Sequence, residues 1–418
     1  MSDNSEQPGG HIVIVGAGQA GVQTAEALRA GGYAGAITMV GDEPHGPYHR
    51  PPLSKAWLAG EIGAAQLVMR APELLAKKLI TLRTGVKVLS IDRAAKLVTL
   101  DDGSHLAYTG LVLATGSTPR ALPLPGADAP NVLALRTRDD ASAIAAALQR
   151  CIDAALPVIV IGGGFIGLEV AATARKKGLT VTVLEVAPRL LGRVLPPLLS
   201  DWYADLHRGH GVDVQLGVQI ASIEQQDGLA SAVVLSDGGR LPAGLIVVGI
   251  GVVANDGLAR TAGLECDRGT IVDACSRTSD LAVVAAGDNT ARRQTDGSLL
   301  RLESVQNATE QAKSAAAWLL GQERPFTAVP WFWSDQYDKK LQMAGLSAGA
   351  DWHALRGDPA SGSFSVYHLA AGRLIAVDSV NASKDHLQAR KLIEAGVAPS
   401  ESQIADLAFD LGGLLAVS

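Results

Sequence analysis

Twice in this chain a run of β-branched residues ends in glycine and passes at once into G-x-G-x-x-G and a helical pattern. The first begins at His11 with HIVIVG, places glycines at Gly16, Gly18 and Gly21, and continues with Val22, Ala25, Leu28 and Arg29 at helical spacing until Gly31 and Gly32 stop it. The strand ITMVGDE follows. The second opens at Pro157 with VIVIGGGFIGLEVAATARKKG, places glycines at Gly162, Gly164 and Gly167, and is followed by VTVLE. A strand, a helix and a second strand in this order form a β-α-β unit, which requires a parallel sheet. In each loop the first glycine allows a tight turn and the second lets backbone N–H groups approach a pyrophosphate. The third lets the helix lie against the strand with its positive end on the phosphate. The chain is therefore α/β, with two Rossmann-like domains that each hold a dinucleotide.

The acids closing the two units refine this. Asp42, 26 residues past Gly16, is expected to end the second strand and accept ribose hydroxyls, with Glu43 as the alternative. Glu185 lies 23 residues past Gly162, and a carboxylate there binds the adenosine ribose and repels a 2′-phosphate, favouring NAD(H) over NADP(H). Arg189, four residues on, is a possible phosphate contact that opposes this preference. Phe165 and Ile166, between the last two glycines of the second loop, and Gly251 join its nucleotide-binding positions. Arg175, Lys176 and Lys177 read as the solvated end of a helix.

Composition bounds the rest. At 418 residues, two or three domains are expected, and 47% hydrophobic with 19% charged residues describes a folded, soluble chain. A net charge of −6 gives no sign of a nucleic-acid binder. The N-terminal MSDNSEQPGG lacks the basic and apolar regions of a signal peptide and reads as a frayed tail, and no apolar run is long enough to span a membrane. Three cysteines, Cys151, Cys266 and Cys275, far apart and odd in number, fit unpaired thiols in a cytoplasmic protein, with no metal site expected.

Between the two units, TGVKVLSIDRAAKLVTLDDGSHLAY alternates like a small meander turning at its DDG, and a similar pattern around Val233 to Val248 turns at SDGG. After Pro330 the composition changes at WFWSDQY. The strands FSVYHL and RLIAVDSV and a helix around Lys384 to Ala395 then form an expected third, α+β domain. The expected limits are residues 1–118 with 250–328 for the first domain, 119–249 for the second and 329–418 for the third.

The order of these features resembles the two-dinucleotide-domain flavoprotein reductases, whose fold is glutathione-reductase-like. Two further segments match: Leu113-Ala114-Thr115-Gly116, where the chain crosses between domains, and TSDLAVVAAGD, ending at Asp288. Disulfide reductases of this fold need a cysteine pair beside the flavin, and single-cysteine relatives need a thiol in the loop EPHGPYHRPPLSK. This chain has neither. Three strings, RPPLSK (50–55), ESVQNATEQA (303–312) and PWFWSDQYDKKLQMAG (330–345), instead resemble the FAD-dependent NADH:ferredoxin reductases of bacterial oxygenase systems, the putidaredoxin reductase and dioxygenase ferredoxin reductase family. Gln306 replaces that family's usual proline, and Val253-Ala254-Asn255 replaces a V-x-P-N, changes expected to leave the chemistry intact.

The resemblance implies that the first loop binds FAD and the second NAD(H). It implies that Lys55 lies near the flavin N5 and O4, paired with Glu169, as the catalytic pair. By the same resemblance Asp288 bonds the ribityl chain, and Ala20, Arg50, Val86, Arg136 and Val305 contact FAD. Trp333 borders the ring. A hydride passes from NADH to the flavin, and single electrons leave to a small acidic [2Fe–2S] ferredoxin serving a cytochrome P-450 or a ring-hydroxylating dioxygenase. Arg301, Lys339, Lys340 and Lys384 are the docking candidates, alternatively ordinary solvated cations. A monomer or weak dimer is expected. The rival readings are an NADH oxidase or monodehydroascorbate-type reductase, and a redox-signalling flavoprotein resembling apoptosis-inducing factor.

Overall fold

Strands whose residues are buried without alternation mark the centres of two parallel sheets, since a strand covered on both faces has no polar side. In the computed structural model, which describes residues 10–416, the chain divides into two compact units. The frayed N-terminal tail expected from the sequence lies outside the described residues.

The first unit contains the described residues through His49, Ala64–Thr118 and Val253–Ala328. Its sheet is built from β1 (His11–Val15), β2 (Ala36–Val40), β3 (Ile80–Arg83), β4 (Gly110–Leu113) and the strand Val283–Ala285. The order is Val283–Ala285, β4, β1, β2, β3, every pair parallel. Helix α1 (Gln19–Ala30) links β1 to β2 and buries Val22, Ala25 and Leu28, as its spacing predicts. Arg29 does not follow them into the core; it donates to the carbonyls of Tyr33 (2.6 Å), Gly35 (2.8 Å), Lys78 (2.9 Å) and Leu79 (2.6 Å). The expected meander is an antiparallel sheet of Val88–Asp92, Leu97–Leu100 and His105–Ala107.

The second unit contains Arg50–Gly63, Pro119–Val252 and the chain from Val329 onward. Its parallel sheet comprises β5 (Val132–Ala134), β6 (Val158–Ile161), β7 (Val181–Glu185), β8 (Asp213–Leu216) and β9 (Leu245–Val248), in the order β8, β7, β6, β9, β5. Helix α2 (Phe165–Lys176) links β6 to β7, and α3 (Pro197–Gly209) precedes β8. One sequence expectation changes here. The second meander is Ile220–Gln226, Leu229–Leu235 and Arg240–Pro242, whereas β9, fully buried, leaves it for the parallel sheet. Its unbroken LIVV is the mark of a doubly covered strand.

The C-terminal part is an antiparallel sheet of β10 (Trp331–Gln336), β11 (Lys339–Gly345), β12 (Trp352–Asp358), β13 (Ser363–Ala370) and β14 (Arg373–Val380), ordered β10, β11, β14, β13, β12. Helix α4 (Ser383–Ala395) buries Ala389 and Leu392 in the same apolar cluster as Tyr367 and Val377. This sheet groups with the second unit, and so does the segment Arg50–Gly63, expected in the first domain. Among the described residues no helix is long and apolar enough to cross a membrane.

Candidate nucleotide and redox site

The two glycine turns have the same construction. Gly16 and Gly162 stand at φ +114° and +107°, and an added Cβ would lie 2.1 Å from the Ala114 carbonyl oxygen and 2.5 Å from that of Gly249. At Gly21 and Gly167 an added Cβ would meet the Gly16 oxygen at 2.0 Å and the Gly162 oxygen at 2.4 Å, so helix and turn touch there. The middle glycines differ. A Cβ on Gly18 meets nothing within 4 Å, and one on Gly164 nothing nearer than 3.7 Å. Gly18 and Gly164 are the N-caps of α1 and α2; no side chain caps either helix and neither first turn holds an acid. The first-turn N–H groups, which no helix can satisfy internally, and the positive helix end are therefore left for an anion. Ala20 and Ile166 lie in these first turns, with Ile166 41% exposed.

The acids that close the two units are not equivalent. Gly16 N–H donates to Val40 O (2.7 Å) and Gly162 N–H to Leu184 O (2.8 Å), so the place held by Glu185 in the second unit belongs to Gly41 in the first. Contrary to the sequence expectation, Asp42 does not end its strand: β2 closes at Val40, and Asp42 is exposed in the following turn. Glu43 is half-buried and accepts the Tyr48 hydroxyl. A carboxylate at position 41 would crowd Ala17, whose Cβ lies 2.8 Å from the site of an added Cβ. Glu185 ends β7, and its two oxygens accept the N–H groups of Gly163 (2.6 Å) and Ala187 (2.7 Å), fixing the carboxylate beside the glycine turn. Arg189 is engaged elsewhere: it donates to the carbonyls of Leu195 (3.2 Å) and Gly192 (3.1 Å) and to the Ser200 hydroxyl (3.2 Å). Its guanidinium closes its own loop.

In the first unit, Ala114, Thr115 and Gly116 follow β4. Thr115 donates its hydroxyl to Asn255 O (2.7 Å) and Asn255 returns its amide to Thr115 O (2.9 Å), so the residue following the altered V-A step ties down the crossing segment. Asp288 follows the buried strand Val283–Ala285 and accepts the Ser117 hydroxyl (3.0 Å). Val86 is held by its N–H to Gly41 O (3.1 Å), and Val305 starts the helix Val305–Leu319, capped by Ser304. Buried polar atoms without a protein partner here include Asn289 Oδ1, Arg301 Nε and Gln306 Oε1. Such atoms are costly unless a ligand or water satisfies them. The uncapped helix and these atoms fit a polyhydroxylated, pyrophosphate-bearing cofactor.

In the second unit, Lys55 and Glu169 meet as expected: Nζ lies 2.8 Å from Oε2, with the carboxylate side chain 4% exposed and the ammonium 20%. Two partners were not foreseen. Ser54 donates to the same oxygen (2.5 Å) and Ser334, on β10, donates to Oε1 (2.6 Å). Both residues lie in the family strings, but that they converge on one carboxylate is tertiary information. Arg50 donates to Arg136 O (2.8 Å). Phe165 opens α2 with its ring 4.8 Å from that of Phe332, while Trp333 is half-buried with its ring 5.6 Å from Trp331. Gly251, at φ +97°, accepts the Arg120 N–H (2.9 Å). Arg175 donates to His210 O (2.7 Å), Lys176 to Tyr337 O (3.1 Å) and Lys177 to Ala59 O (3.1 Å), so these three are bonded rather than simply solvated.

Comparison with known proteins accounts for this arrangement. Residues 10–312 match the pyridine nucleotide-disulphide oxidoreductase family and residues 331–415 the reductase C-terminal family. The chain is 45% identical over 401 residues to rhodocoxin reductase of Rhodococcus erythropolis, covering 96% of this chain and 93% of that one. Among solved structures it resembles the ferredoxin reductase for the CYP199A2 system from Rhodopseudomonas palustris, with TM-score 0.92, 44% identity and coverage of 96% and 99%. It also resembles the reductase of the covalent putidaredoxin reductase–putidaredoxin complex, with TM-score 0.93, 41% identity and coverage of 98% and 99%. The chain belongs to this ferredoxin reductase family. As in any ferredoxin reductase, electrons must leave by some route, and the three cysteines, all free, form no disulfide. Of the cations considered for docking, Arg301 is half-buried and paired with Glu303 (3.0 Å), and Lys339 is paired with Asp338 (2.7 Å). Lys340 is exposed, and Lys384, 76% exposed, lies 3.4 Å from Asp410.

Proposed function

We propose that this chain is an NADH-dependent, FAD-containing ferredoxin reductase that draws two electrons from NADH and delivers them singly to a small [2Fe–2S] ferredoxin. That ferredoxin would supply a cytochrome P-450 or a ring-hydroxylating dioxygenase. The observation that carries the reading is the pair of uncapped glycine-turn helices in a chain without a cysteine pair. Two nucleotides held there would be able to exchange a hydride, and the electrons would go to an outside acceptor. FAD, when bound, supplies the conversion from two-electron to one-electron transfer.

The residues around it divide the remaining work. Gly16, Gly18, Ala20 and Gly21 would seat the FAD pyrophosphate, with Asp288 on its ribityl hydroxyls and Glu43 or Asp42 on its ribose. Arg50, Val86, Ala114, Thr115, Gly116, Arg136, Val305 and Trp333 would complete the FAD contacts. Gly162, Gly164, Phe165, Ile166, Gly167 and Gly251 would seat NADH, and the pinned Glu185 would bond the adenosine ribose and oppose a 2′-phosphate. The Lys55 ammonium would face the flavin and oppose negative charge arriving there, and Glu169 would hold it in place. The domain limits proposed are residues 1–118 with 250–328 for FAD, 119–249 for NADH and 329–418 for the C-terminal domain. A cytoplasmic location is proposed with them, in keeping with unpaired thiols.

The test is direct. Purified protein should carry a flavin spectrum, be reduced by NADH far better than by NADPH, and reduce a [2Fe–2S] ferredoxin faster than oxygen or ascorbate radical. A colourless protein that takes up no FAD would overturn the reading. Preference for oxygen or ascorbate radical as acceptor would replace it with an oxidase or a small-radical reductase.

A further inference from the structure

Glu169 is the end of a longer series of hydrogen bonds. Ser334, which donates to Glu169 Oε1 at 2.6 Å, accepts Gln336 Nε2 at 3.2 Å. Gln336 Oε1 lies 2.8 Å from His207 Nε2, and His207 Nδ1 lies 3.2 Å from the Tyr337 hydroxyl. Ser334, Gln336 and His207 are 0%, 1% and 0% exposed, so no solvent competes for these bonds.

With Glu169 as the carboxylate partner of Lys55, the direction of every bond follows from that one end. An ionised carboxylate only accepts, so the single Ser334 proton goes to Glu169, and Ser334 can then only accept from Gln336. That requires the Gln336 amide nitrogen to face Ser334 and its carbonyl oxygen to face His207. His207 must carry its proton on Nε2, which leaves Nδ1 to accept from Tyr337. Four donors in series, Tyr337, His207, Gln336 and Ser334, thus point toward one carboxylate, and such series strengthen one another in a low-dielectric interior. Burial holds His207 down to about 4, keeping it neutral as this series requires. Tyr337 occupies φ +57°, a costly place for an aromatic residue, and is held there by stacking on His210 (centroids 3.7 Å apart) and by Lys176 on its carbonyl.

We propose that Tyr337, His207 and Gln336 are positioning residues that hold the Glu169 carboxylate on the Lys55 ammonium and so set the charge that this pair presents beside the flavin. This rests on the proposed flavin-facing role of Lys55. Other titratable or charged groups near the series are Tyr203, buried among the carboxylates of Asp378, Asp335 and Glu169; His210, which faces His207 from the end of α3; and Arg175 and Lys176, which flank Tyr337. Lys55 is the cation bonded to Glu169.

If the series is cut, the Glu169 carboxylate is no longer held on Lys55, the ammonium is less well neutralised, and the reduced flavin, which carries negative charge, is favoured. The test measures the flavin midpoint potential of the holoenzyme against pH. His207→Leu and Gln336→Leu should shift it positive. His207→Gln, which restores an N–H toward Gln336, should return the parent curve. Tyr337→Phe, which removes only the outermost donor, should shift the curve the same way by less, and it decides the matter if His207→Leu does not fold. Glu169→Gln should shift the potential positive at every pH, and Lys55→Met should shift it negative. If Glu169→Gln and Lys55→Met leave the potential in place, the flavin-facing reading of Lys55 falls and takes this inference with it. If those two move it while Gln336→Leu and Tyr337→Phe follow the parent at every pH, the series is packing alone and the inference is overturned.

Discussion

The middle glycines offer a perturbation in which folding and binding separate. Gly18 sits at φ −84°, ψ −162°, a conformation alanine adopts freely, and its added methyl would meet no atom within 4 Å. Gly18→Ala should therefore leave the stability of the flavin-free protein within about 0.5 kcal/mol of the parent. If this turn seats the FAD pyrophosphate, the same methyl would stand in the open space before the first-turn N–H groups that the phosphate oxygens would reach. A hydrogen bond to a charged group is worth about 1.5–3 kcal/mol. Losing one weakens FAD binding by roughly 10- to 150-fold. Gly21→Ala is the contrast. Its methyl would stand 2.0 Å from the Gly16 oxygen, so α1 must move off β1 at a cost of about 1–3 kcal/mol or more before any ligand is present. Thermal unfolding of the flavin-free variants, with FAD titration followed by flavin fluorescence, reads both quantities. Gly164→Ala should raise the KM for NADH and leave FAD content alone. A Gly18→Ala protein that binds FAD as the parent does, or that loses stability as Gly21→Ala does, would refute the reasoning. An effect of Gly18→Ala on NADH alone would refute the assignment of the loops.

The pinned Glu185 carboxylate would face a 2′-phosphate at close range. Two unit charges 4 Å apart interact by about 4 kcal/mol at an effective dielectric near 20. Glu185→Ser should therefore lower the ratio of kcat/KM for NADH over NADPH at least about tenfold, and an unchanged ratio would refute this role. His207 and His386 are 0% and 2% exposed, and burial holds both down to about 4, aided at His386 by the charges of Arg390 and Lys340. Each is neutral in the fold but takes a proton in the unfolded chain below its ordinary 6.5, so stability should fall as pH drops from 6.5 toward 4. The loss should reach roughly 2–3 kcal/mol per imidazole, seen as a falling urea midpoint, and His207→Gln should remove one share. Lys339→Glu with Lys340→Glu should slow ferredoxin reduction at low salt while NADH–ferricyanide turnover stays normal; unchanged ferredoxin kinetics would remove this face from the docking surface.

Both β-α-β units are legible because the G-x-G-x-x-G spacing is local: Gly21 meets the Gly16 oxygen five residues back, although Gly16 itself is pressed by the Ala114 carbonyl, far along the chain. The strand Leu245–Val248 was misplaced because alternation was carried past Pro242 into LIVV, where covering on both faces erases the pattern. Asp42 was misplaced for a related reason. Sequence spacing finds an acid near the end of β2, but only the register shows that Gly41 occupies the equivalent of Glu185 and that Ala17 leaves no room for more. The groupings of Arg50–Gly63 and of the C-terminal sheet depend on contacts between segments far apart in sequence, which spacing does not carry.

The site shows a sharper version of the same limit. The pairing of Lys55 with Glu169 comes from the family resemblance, Lys55 in RPPLSK and Glu169 in the second glycine-loop helix, since nothing local links residues 114 positions apart. Their supports nevertheless had a local mark. Leu199, Tyr203 and His207 follow one another at i, i+4 and i+8 on α3, and all three are buried, so His207 occupies a core position of an amphipathic helix. Ser334 and Gln336 alternate on the buried face of β10 in the same way. A polar side chain at a core position must find a partner, because an unsatisfied one costs about 1–3 kcal/mol. Three such residues on two elements are candidates to partner one another, and the structure shows that they do. What the sequence lacks is the direction of the bonds. That emerges only when the one group that can do nothing but accept, the Glu169 carboxylate, is found at the end of the series.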